Sequence, residues 1–468
     1  MTAPTSPSSP SSAPTDVATN DPDAAPAELP GSGRVLAWST IAFTVMFAVW
    51  LMFGILGVPI KEEFGLTNSQ LTWISSLAVL NGSMWRLPAG MLADRIGGRK
   101  VMLGLLLFGA VASLAVSFAQ TYSMLLVLAF LVGFVGNSFS VGVSWNSAWF
   151  SHRRKGFALG LFGAGNVGAS VTKFIGPVII TATAGTTFFL GIQGGWRLIP
   201  VIYSALLLVL AACIFFGTPR QDRVPGEAKP VREMLQPLKD VRVWRFSLYY
   251  VVVFGAYVAF SAYLPNYYVS VFGVSLQTAA LLTATFIFPA SLLRPLGGWV
   301  SDKWGARRAM YATFAVLLVT SGILMMPNGH LVVAMPDGSE RTFLPWTMNV
   351  WLFVVLVFFM GCAMGIGKAA VYKHIPTYFP DNVGSVGGLV GMLGGLGGFF
   401  LPLMFSYGQE LTGMWSSAFV VLFGFTLVSL LWMHWTIHRM LHDQSPQLED
   451  EIDIRVAEEP VLATTEKA

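Results

Sequence analysis

Long apolar runs recur along this chain of 468 residues, and they constrain its fold more than any other feature. Each run is long enough to cross the roughly 30 Å hydrocarbon core of a bilayer as a helix. Charged residues make up only 11% of the chain, whereas soluble domains carry about 25%, so they are too few to cover a soluble surface. This composition excludes a cytosolic enzyme, a nucleic-acid-binding protein and a disordered scaffold. We predict an all-α membrane protein with twelve transmembrane helices, near residues 36–60, 70–92, 101–119, 124–149, 157–183, 198–217, 246–269, 278–300, 309–327, 348–372, 384–407 and 415–437.

The spacing of the runs divides the chain into two halves of six helices each. The widest gap, residues 218–245, is predicted to be a linker between an N-terminal half at 35–217 and a C-terminal half at 246–438. Residues 1–34 are rich in Pro, Ser and Ala and contain no apolar run, so they are predicted to form a disordered tail. Residues 439–468 are predicted to form a second, acidic tail.

Lysine and arginine are concentrated in loops on one side of the predicted helix array. Arg99, Lys100, Arg153 and Arg154 lie on that side together with the central linker, whereas Lys61 on the other side is followed by two glutamates. Positive charge favours the cytoplasmic side of a membrane. We therefore expect a multi-pass protein of the inner (cytoplasmic) membrane with both termini in the cytoplasm.

An internal repeat relates the two halves at the end of the second helix of each. The repeat reads Arg86-x3-Gly90-x3-Asp94-Arg95-x-Gly97-x-Arg99-Lys100 in the first half and Arg294-x3-Gly298-x3-Asp302-Lys303-x-Gly305-x-Arg307-Arg308 in the second. Repeats of this kind are typical of chains built from two related units. The sequence therefore predicts two pseudo-symmetric six-helix halves.

The repeated loop resembles the signature of the major facilitator superfamily, whose halves rock about a central site near the bilayer midplane. The resemblance implies the major facilitator fold and a gating role for the loops. The predicted gating residues are Gly90, Asp94, Arg95, Gly298, Asp302 and Lys303. The glycines are expected to allow tight turns and close helix approach, and the aspartates to pair with basic groups or helix ends nearby.

Arg86 and Arg294 lie inside the predicted second and eighth helices, at matching depths in the two halves. A charge at such a depth costs ~3 kcal/mol or several times more, so it is expected to face a cavity and a counter-charge. No Asp or Glu lies in the central part of any predicted helix. The counter-charge is therefore expected to come from a small anion, held between two guanidinium groups that suit planar oxyanions. Snorkelling or bonding to backbone carbonyls is the alternative for these arginines.

Glycine-rich stretches in the fifth and eleventh helices, together with these arginines, resemble the nitrate/nitrite porter family over residues 35–440. The resemblance implies that Arg86 and Arg294 clamp nitrate. It also assigns four further residues to the substrate site. These are Phe139, Asn166, Tyr250 and Phe254.

Nitrate entering a cell opposes an inside-negative potential, at ~2.3 kcal/mol per charge per 100 mV. Uptake therefore needs a counter-moving anion such as nitrite, or more than one proton moving with each nitrate. Burial favours the neutral form of lysine, so Lys173, Lys368 and Lys373 are candidate proton-coupling residues, and His374 lies beside the last. By these residues the chain resembles the proton-symport branch of the family, although snorkelling is an alternative for these side chains, for Lys373 and His374 more than for Lys173 and Lys368.

Other functions stay open at this point. The main alternative is nitrate/nitrite exchange that extrudes nitrite, and a weaker one is a facilitator for another small organic anion. A channel, a receptor and an enzyme are disfavoured, because we find no pore-lining ring, soluble domain or catalytic motif in a plausible setting. The expected partners are nitrate, nitrite as a second candidate, protons and the lipid bilayer. No cofactor, metal or nucleic acid is expected, and the protein is predicted to be a monomer.

Overall fold

The computed structural model of the chain describes residues 30–150, 152–188, 191–224, 230–326, 329–336, 339–379 and 383–444. The predicted terminal tails lie mostly outside these residues. Within them the helices form twelve rods, six in each half, as the sequence predicts.

The rods are numbered in chain order. Rods 1 to 6 are α1 (Ser32–Trp50) with α2 (Phe53–Phe64), α3 (Asn68–Met84) with α4 (Arg86–Ile96), α5 (Gly98–Val116), α6 (Tyr122–Gly133) with α7 (Ser138–Trp149), α8 (His152–Gly163) with α9 (Gly168–Thr183), and α10 (Leu198–Gly217). The short α11 (Val231–Leu235) lies between the halves. Rods 7 to 12 are α12 (Val241–Tyr250) with α13 (Ala256–Phe272), α14 (Leu276–Leu292) with α15 (Arg294–Trp304), α16 (Ala306–Leu324), α17 (Val350–Tyr378), α18 (Val383–Thr412) and α19 (Ser417–Gln444).

Eight of these rods are long and apolar enough to cross a membrane on length and composition alone, and the bent pair α14–α15 makes a ninth. Rods 2, 5 and 9 fall outside this set. Rods 2 and 5 carry buried charges, Arg86 and Lys173, and rod 9 begins with Arg307 and Arg308. Buried charges lower the apolar content of a helix without preventing it from crossing a membrane when they face the protein interior.

The internal repeat is also visible in the backbone. Gly97 and Gly305, at equivalent positions of the two motifs, have φ values of 96° and 89°. Gly65 and Gly273, at the ends of α2 and α13, have φ values of 61° and 65°. Left-handed backbone of this kind is favourable for glycine only, so the same turns recur because the same glycines recur.

The two halves pack through rods 2 and 11, rods 5 and 8, and rods 1 and 7. We call the end that carries Asp94 and Asp302 the motif end. At the opposite end, polar side chains join the halves: Asn68 Nδ2 donates to Gln409 Oε1 at 3.1 Å, and the Thr72 and Ser406 hydroxyls lie 2.5 Å apart. The halves are therefore closed against each other at the end opposite the motifs.

Two features differ from the sequence expectation. The loop between rods 9 and 10 contains an antiparallel hairpin, β1 (Gly329–Ala334) and β2 (Glu340–Trp346), which the apolar pattern did not reveal. The predicted linker 218–245 is shorter than expected, because Asp240 accepts a hydrogen bond from the Arg242 N–H and starts α12 at Val241. Capping of this kind satisfies free N–H groups at a helix start.

Candidate anion-binding site

Rods 2 and 8 break at equivalent points, and an arginine follows each break. α3 gives way to α4 at Arg86, and α14 bends by 45° before α15 begins at Arg294. A break in a helix changes the direction in which the side chains beyond it project. Arg86 is only 1% exposed, so this guanidinium lies inside the protein as the sequence predicts and does not face lipid.

The Arg86 guanidinium is partly satisfied by backbone carbonyls. Its Nε donates to Gly82 O and its Nη1 to Gly391 O, both at 3.0 Å, while Nη2 is buried without a partner. The Cζ atom lies 5.2 Å from the Trp50 ring centroid and 5.1 Å from that of Phe254, distances at which a cation is attracted to an aromatic face. The carbonyl bonds that the sequence left as an alternative are therefore present, and one N–H group remains free.

Arg294 approaches the same place from the other half. Its Cζ atom lies 5.5 Å from the Phe139 ring centroid, and the Arg86 Cζ atom lies 5.8 Å from the same centroid. The Arg294 Nη1 atom is buried without a hydrogen-bond partner. Across the described part of the chain, no carboxylate lies within ion-pair distance of either arginine. The described part of the protein therefore supplies no carboxylate to balance these two charges, in agreement with the absence of Asp and Glu from the central parts of the predicted helices.

Aromatic rings form one wall of the site. Tyr250 and Phe254 stack with centroids 5.0 Å apart and ring planes 12° apart, across a π-helical turn at Val251–Gly255. Tyr372 meets Tyr250 edge to face at 5.1 Å and lies 5.6 Å from the Arg294 Cζ atom. Single π-helical turns are frequent at functional sites, and this turn begins directly after Tyr250 and contains Phe254.

Two glycines leave room for the guanidinium groups. A methyl group at Gly163 would lie 3.1 Å from Arg294 Nη1, and one at Gly395 would lie 3.0 Å from Arg86 Nη1. The glycine-rich stretches of rods 5 and 11 therefore do more than allow helices to pack closely. At these two positions they keep side-chain atoms away from the charged groups.

Asn166 lies in a short 3₁₀ turn, Ala164–Val167, in the middle of rod 5. Its side-chain Nδ2 and Oδ1 atoms are both buried without partners. An unsatisfied buried polar group costs about 1–3 kcal/mol, so a buried amide of this kind suggests a binding role. Tyr257 Oη donates to the main-chain carbonyl of Asn166 at 3.3 Å and lies 3.0 Å from Ser291 Oγ.

The three candidate coupling lysines lie in different surroundings. Lys368 is fully buried in rod 10, where its Nζ donates to Ala290 O at 3.1 Å and lies 3.2 Å from the Tyr257 ring centroid. It also lies within the electrostatic field of Arg294. Lys368 thus contacts the ring of Tyr257, whose hydroxyl bonds to the main-chain carbonyl of Asn166. The charge of Lys368 also interacts with that of Arg294.

Lys173 and Lys373 are not joined to the arginines in this way. Lys173 is 1% exposed, and its Nζ donates to Ala169 O of its own helix at 3.2 Å. Lys373 is half-exposed and forms an ion pair with Asp302. The structure therefore places Lys373 beside the repeated motif. Of the three lysines, Lys368 is the one that contacts residues around the arginines.

The motif residues make local contacts within each half. Asp94 accepts a hydrogen bond from Ser144, while Arg95 is exposed. Lys303 Nζ lies 5.1 Å from the Trp299 ring centroid. A methyl group at Gly90 would touch Ser140 at 3.5 Å, in ordinary contact.

Gly298 departs from its expected packing role, because a methyl group there would meet nothing within 4 Å. The close approach is made by its neighbour Gly297, where a methyl group would lie 2.6 Å from the Ile366 backbone. The close contact is one residue away from the predicted position, because Gly297 and not Gly298 lies on the helical face that packs against rod 10.

Several residues of the site were missed from the sequence. Trp50, Tyr257 and Tyr372 are aromatic residues in apolar helices, and nothing in their spacing distinguishes them from packing residues.

Away from the site, at the motif end, the carboxylate of the linker residue Asp222 accepts from the Arg99 N–H at 2.7 Å and from Trp145 Nε1 at 3.0 Å. This contact was also missed, and the signal that the sequence offers is only that Asp222 lies between Arg220 and Arg223.

Comparison with known proteins gives the family. The sequence profile of the Major Facilitator Superfamily matches residues 38–336 and 341–463. A protein of Thermus thermophilus named as a probable nitrate/nitrite antiporter is 59% identical over 437 residues, which cover 93% of this chain and 98% of that protein. A nitrite extrusion protein of Bacillus subtilis is 30% identical over 413 residues, 87% of this chain and 96% of that protein.

Solved structures agree in fold. A bacterial homologue of the human lysosomal transporter Spinster, in an inward-facing and occupied conformation, superposes with a TM-score of 0.66 at 16% identity, covering 89% of this chain and 98% of that one. A nucleoside transporter superposes with a TM-score of 0.61 at 14% identity, covering 86% of this chain and 99% of that one. The predicted major facilitator fold is confirmed. The chain belongs to the Major Facilitator Superfamily and, within it, to the nitrate/nitrite porter family.

Proposed function

We propose that this protein carries nitrate across the inner membrane by alternating access, with nitrite as a second substrate. The observation that supports this most is the convergence of Arg86 and Arg294 on Phe139, each with a buried N–H group that has no partner. An anion placed between them would supply the counter-charge and accept these hydrogen bonds. The names of the Thermus and Bacillus relatives point to the same anions.

The chemistry of the site favours a small planar oxyanion. A guanidinium group is a planar fork that donates two parallel hydrogen bonds to such an anion. The rings of Phe139, Tyr250 and Phe254 form an apolar surround that suits weakly hydrated nitrate better than strongly hydrated sulfate or phosphate. In this proposal Asn166 Nδ2 donates a further hydrogen bond to the substrate.

For the driving force we propose proton symport through Lys368. This lysine is buried without a carboxylate partner and lies within the field of Arg294. A bound anion near the arginines would reduce that field and favour the protonated lysine, so that the anion and the Lys368 proton, one of those that move with each nitrate, are taken up together. Reorientation of the halves would then carry both across.

Nitrate/nitrite exchange is the second candidate. The specific observation in its favour is the name of the Thermus relative, a probable nitrate/nitrite antiporter, which is 59% identical to this chain. Exchange of two monovalent anions moves no net charge, so it needs no titrating group near the site. Under this reading Lys368 has a structural role, supporting Tyr257 and the carbonyl of Ala290.

The topology of the proposal places the motif end and both termini in the cytoplasm, in agreement with the distribution of Lys and Arg. Since the opposite end is closed by contacts such as Thr72 with Ser406, this state would be open or opening toward the cytoplasm. We propose a monomer as the working unit, because the site is completed by the two halves of one chain.

Uptake into proteoliposomes tests substrate and coupling together. The purified protein is reconstituted, and nitrate, nitrite and chloride uptake are compared with and without a pH gradient and with and without trapped nitrite. Nitrate accumulation driven by the pH gradient alone supports symport, while strict dependence on trapped nitrite supports exchange. Equal transport of chloride, or no transport of nitrate under any gradient, would contradict the proposed substrate.

A further inference from the structure

A second cluster of basic side chains, two arginines and a histidine, lies outside the anion site, at the motif end of the C-terminal half. Arg245 near the start of rod 7, Arg307 at the start of rod 9 and His374 near the end of rod 10 line one pocket, which rod 12 closes. The proposed transport function uses none of these residues. The pocket therefore needs a separate explanation.

The pocket is built from buried and ordered groups. Arg245 is 6% exposed and His374 is 7% exposed. The His374 ring stacks on Phe246 with centroids 5.5 Å apart and planes 5° apart, and the Arg245 Cζ atom lies 5.4 Å from the same Phe246 centroid. Arg307 Nη2 donates to Tyr378 Oη at 2.7 Å. These contacts fix the positions of the two guanidinium groups and of the imidazole ring.

The pocket also contains an unused donor. Tyr249 is 1% exposed, and its hydroxyl is buried without a hydrogen-bond partner at the wall of the pocket. Buried hydroxyl groups normally have a partner. An acceptor group entering the pocket would satisfy the Tyr249 hydroxyl and interact with the Arg245 guanidinium in the same wall.

The protein supplies little negative charge to this cluster. Asp240 is the carboxylate whose charge interacts with Arg245, and it is already engaged by Arg242, whose Nε lies 3.1 Å from each of its oxygens. The Arg242 Nη2 atom adds an ion pair at 2.9 Å. The described part of the pocket wall itself contains no acidic residue. The cluster is therefore left with an excess of positive charge.

We propose that this pocket binds the phosphate group of an anionic lipid of the inner leaflet. Phosphate matches the two arginines, because guanidinium groups bind its oxygens through strong charge-assisted hydrogen bonds. Basic pockets between transmembrane helices on the cytoplasmic side are typical sites for anionic headgroups. Met433 and Ile437 of rod 12 give the pocket an apolar side on which an acyl chain can lie.

The bound headgroup would join four rods of the C-terminal half at one point. Rod 7 carries Tyr250 and rod 10 carries Lys368, so the lipid would hold together two rods that contribute to the anion site. This inference does not depend on the identity of the transported anion.

The test uses the full chain, delipidated in detergent, and measures the thermal unfolding temperature. Phosphatidylglycerol, phosphatidylcholine and inorganic phosphate are added separately, and native mass spectrometry counts the lipid that stays bound. We expect phosphatidylglycerol alone to raise the unfolding temperature and to remain bound. The double variant Arg245→Gln/Arg307→Gln should need about tenfold more phosphatidylglycerol for the same effect.

Two further variants make the result interpretable. Lys239→Gln removes a nearby exposed cation, leaves the Arg242–Asp240 pair in place, and is expected to respond to phosphatidylglycerol like the parent. Tyr249→Phe removes only the unused hydroxyl and keeps all charges, so it serves if the double variant does not fold, and it should retain less lipid than the parent. An unchanged lipid response in both the double variant and Tyr249→Phe would overturn the proposal. Equal stabilisation by inorganic phosphate would also overturn it, since the ligand would then be a free anion.

Discussion

Arg86 and Arg294, one from each half of the molecule, direct their guanidinium groups at the same phenyl ring. Their Cζ atoms lie 5.8 and 5.5 Å from the Phe139 centroid. Each arginine follows a break in its rod, and each keeps one buried guanidinium nitrogen without a hydrogen-bond partner. Like charges repel, so an anion between the two guanidinium groups would stabilise this arrangement beyond what the carbonyls and aromatic rings around it supply.

Adding a methyl group beside either guanidinium should weaken nitrate binding. Gly163→Ala would place its Cβ 3.1 Å from Arg294 Nη1. Gly395→Ala would place it 2.8 Å from Ser83 Oγ and 3.0 Å from Arg86 Nη1. Because the guanidinium must move by a few tenths of an ångström, together with Ser83 at the second position, we expect roughly tenfold weaker binding, or ~1.4 kcal/mol. Nitrate titration by calorimetry measures this.

Gly160→Ala is the matched control for these variants. It lies in the same rod as Gly163, and its methyl group would meet nothing within 4 Å. We expect it to bind nitrate like the parent. A loss of affinity in Gly160→Ala equal to that in Gly163→Ala would show that the effect comes from the helix and not from the arginine.

Replacing Lys368 should separate proton coupling from anion transport. Lys368→Gln removes the charge that lies 3.2 Å from the Tyr257 ring centroid. We expect nitrate accumulation driven by a pH gradient to fall to background, while nitrate/nitrite counterflow across equal pH continues. Lys173→Gln is the comparison, because Lys173 is equally buried but bonds only to its own helix at Ala169. If Lys173→Gln loses the pH-driven uptake and Lys368→Gln keeps it, the assignment is reversed.

A disulfide across the closed end should stop transport. The Thr72 and Ser406 hydroxyls lie 2.5 Å apart on rods 2 and 11, so Thr72→Cys/Ser406→Cys brings two sulfurs within bonding reach. Cys213 and Cys362 are replaced by serine in the parent. Oxidation should abolish nitrate uptake and a reductant should restore it, because the halves must separate here in each cycle. Undiminished uptake after complete oxidation would contradict alternating access at this interface.

The linker residue Asp222 should contribute to the stability of the N-terminal half. Its carboxylate accepts from the Arg99 N–H at 2.7 Å, from Trp145 Nε1 at 3.0 Å and from Trp149 Nε1 at 3.2 Å. We expect Asp222→Ala to lower the free energy of unfolding by about 1–3 kcal/mol, measured by thermal or denaturant unfolding in detergent. Asp222→Asn keeps one acceptor oxygen and should lose less. Equal stability of Asp222→Ala and the parent would show that these bonds contribute nothing.

The sequence predicted the parts of this account that depend on charge and repetition. Arg86 and Arg294 were found because a charge in an apolar run is costly and because the same charge recurs at the same place in each half. The twelve rods and the division between the halves follow from apolar length. These signals are local, so they can be read without knowledge of packing.

Contacts between distant segments could not be predicted in the same way. Lys173 and Lys368 are both lysines in apolar helices, and only the structure shows that Lys368 faces Tyr257 and Arg294. Tyr372 looks like any aromatic residue of a membrane helix until it is placed beside Tyr250. The packing assigned to Gly298 belongs to Gly297, because one residue of rotation selects the helical face.

The most direct test of the central claim is nitrate binding to Arg86→Lys and Arg294→Lys, measured by calorimetry on purified protein. Lysine keeps the positive charge but loses the planar fork. Each variant is expected to bind nitrate at least about tenfold more weakly than the parent, with its unfolding temperature unchanged within a few degrees. Nitrate affinity equal to that of the parent in both variants would contradict a clamp formed by these two arginines.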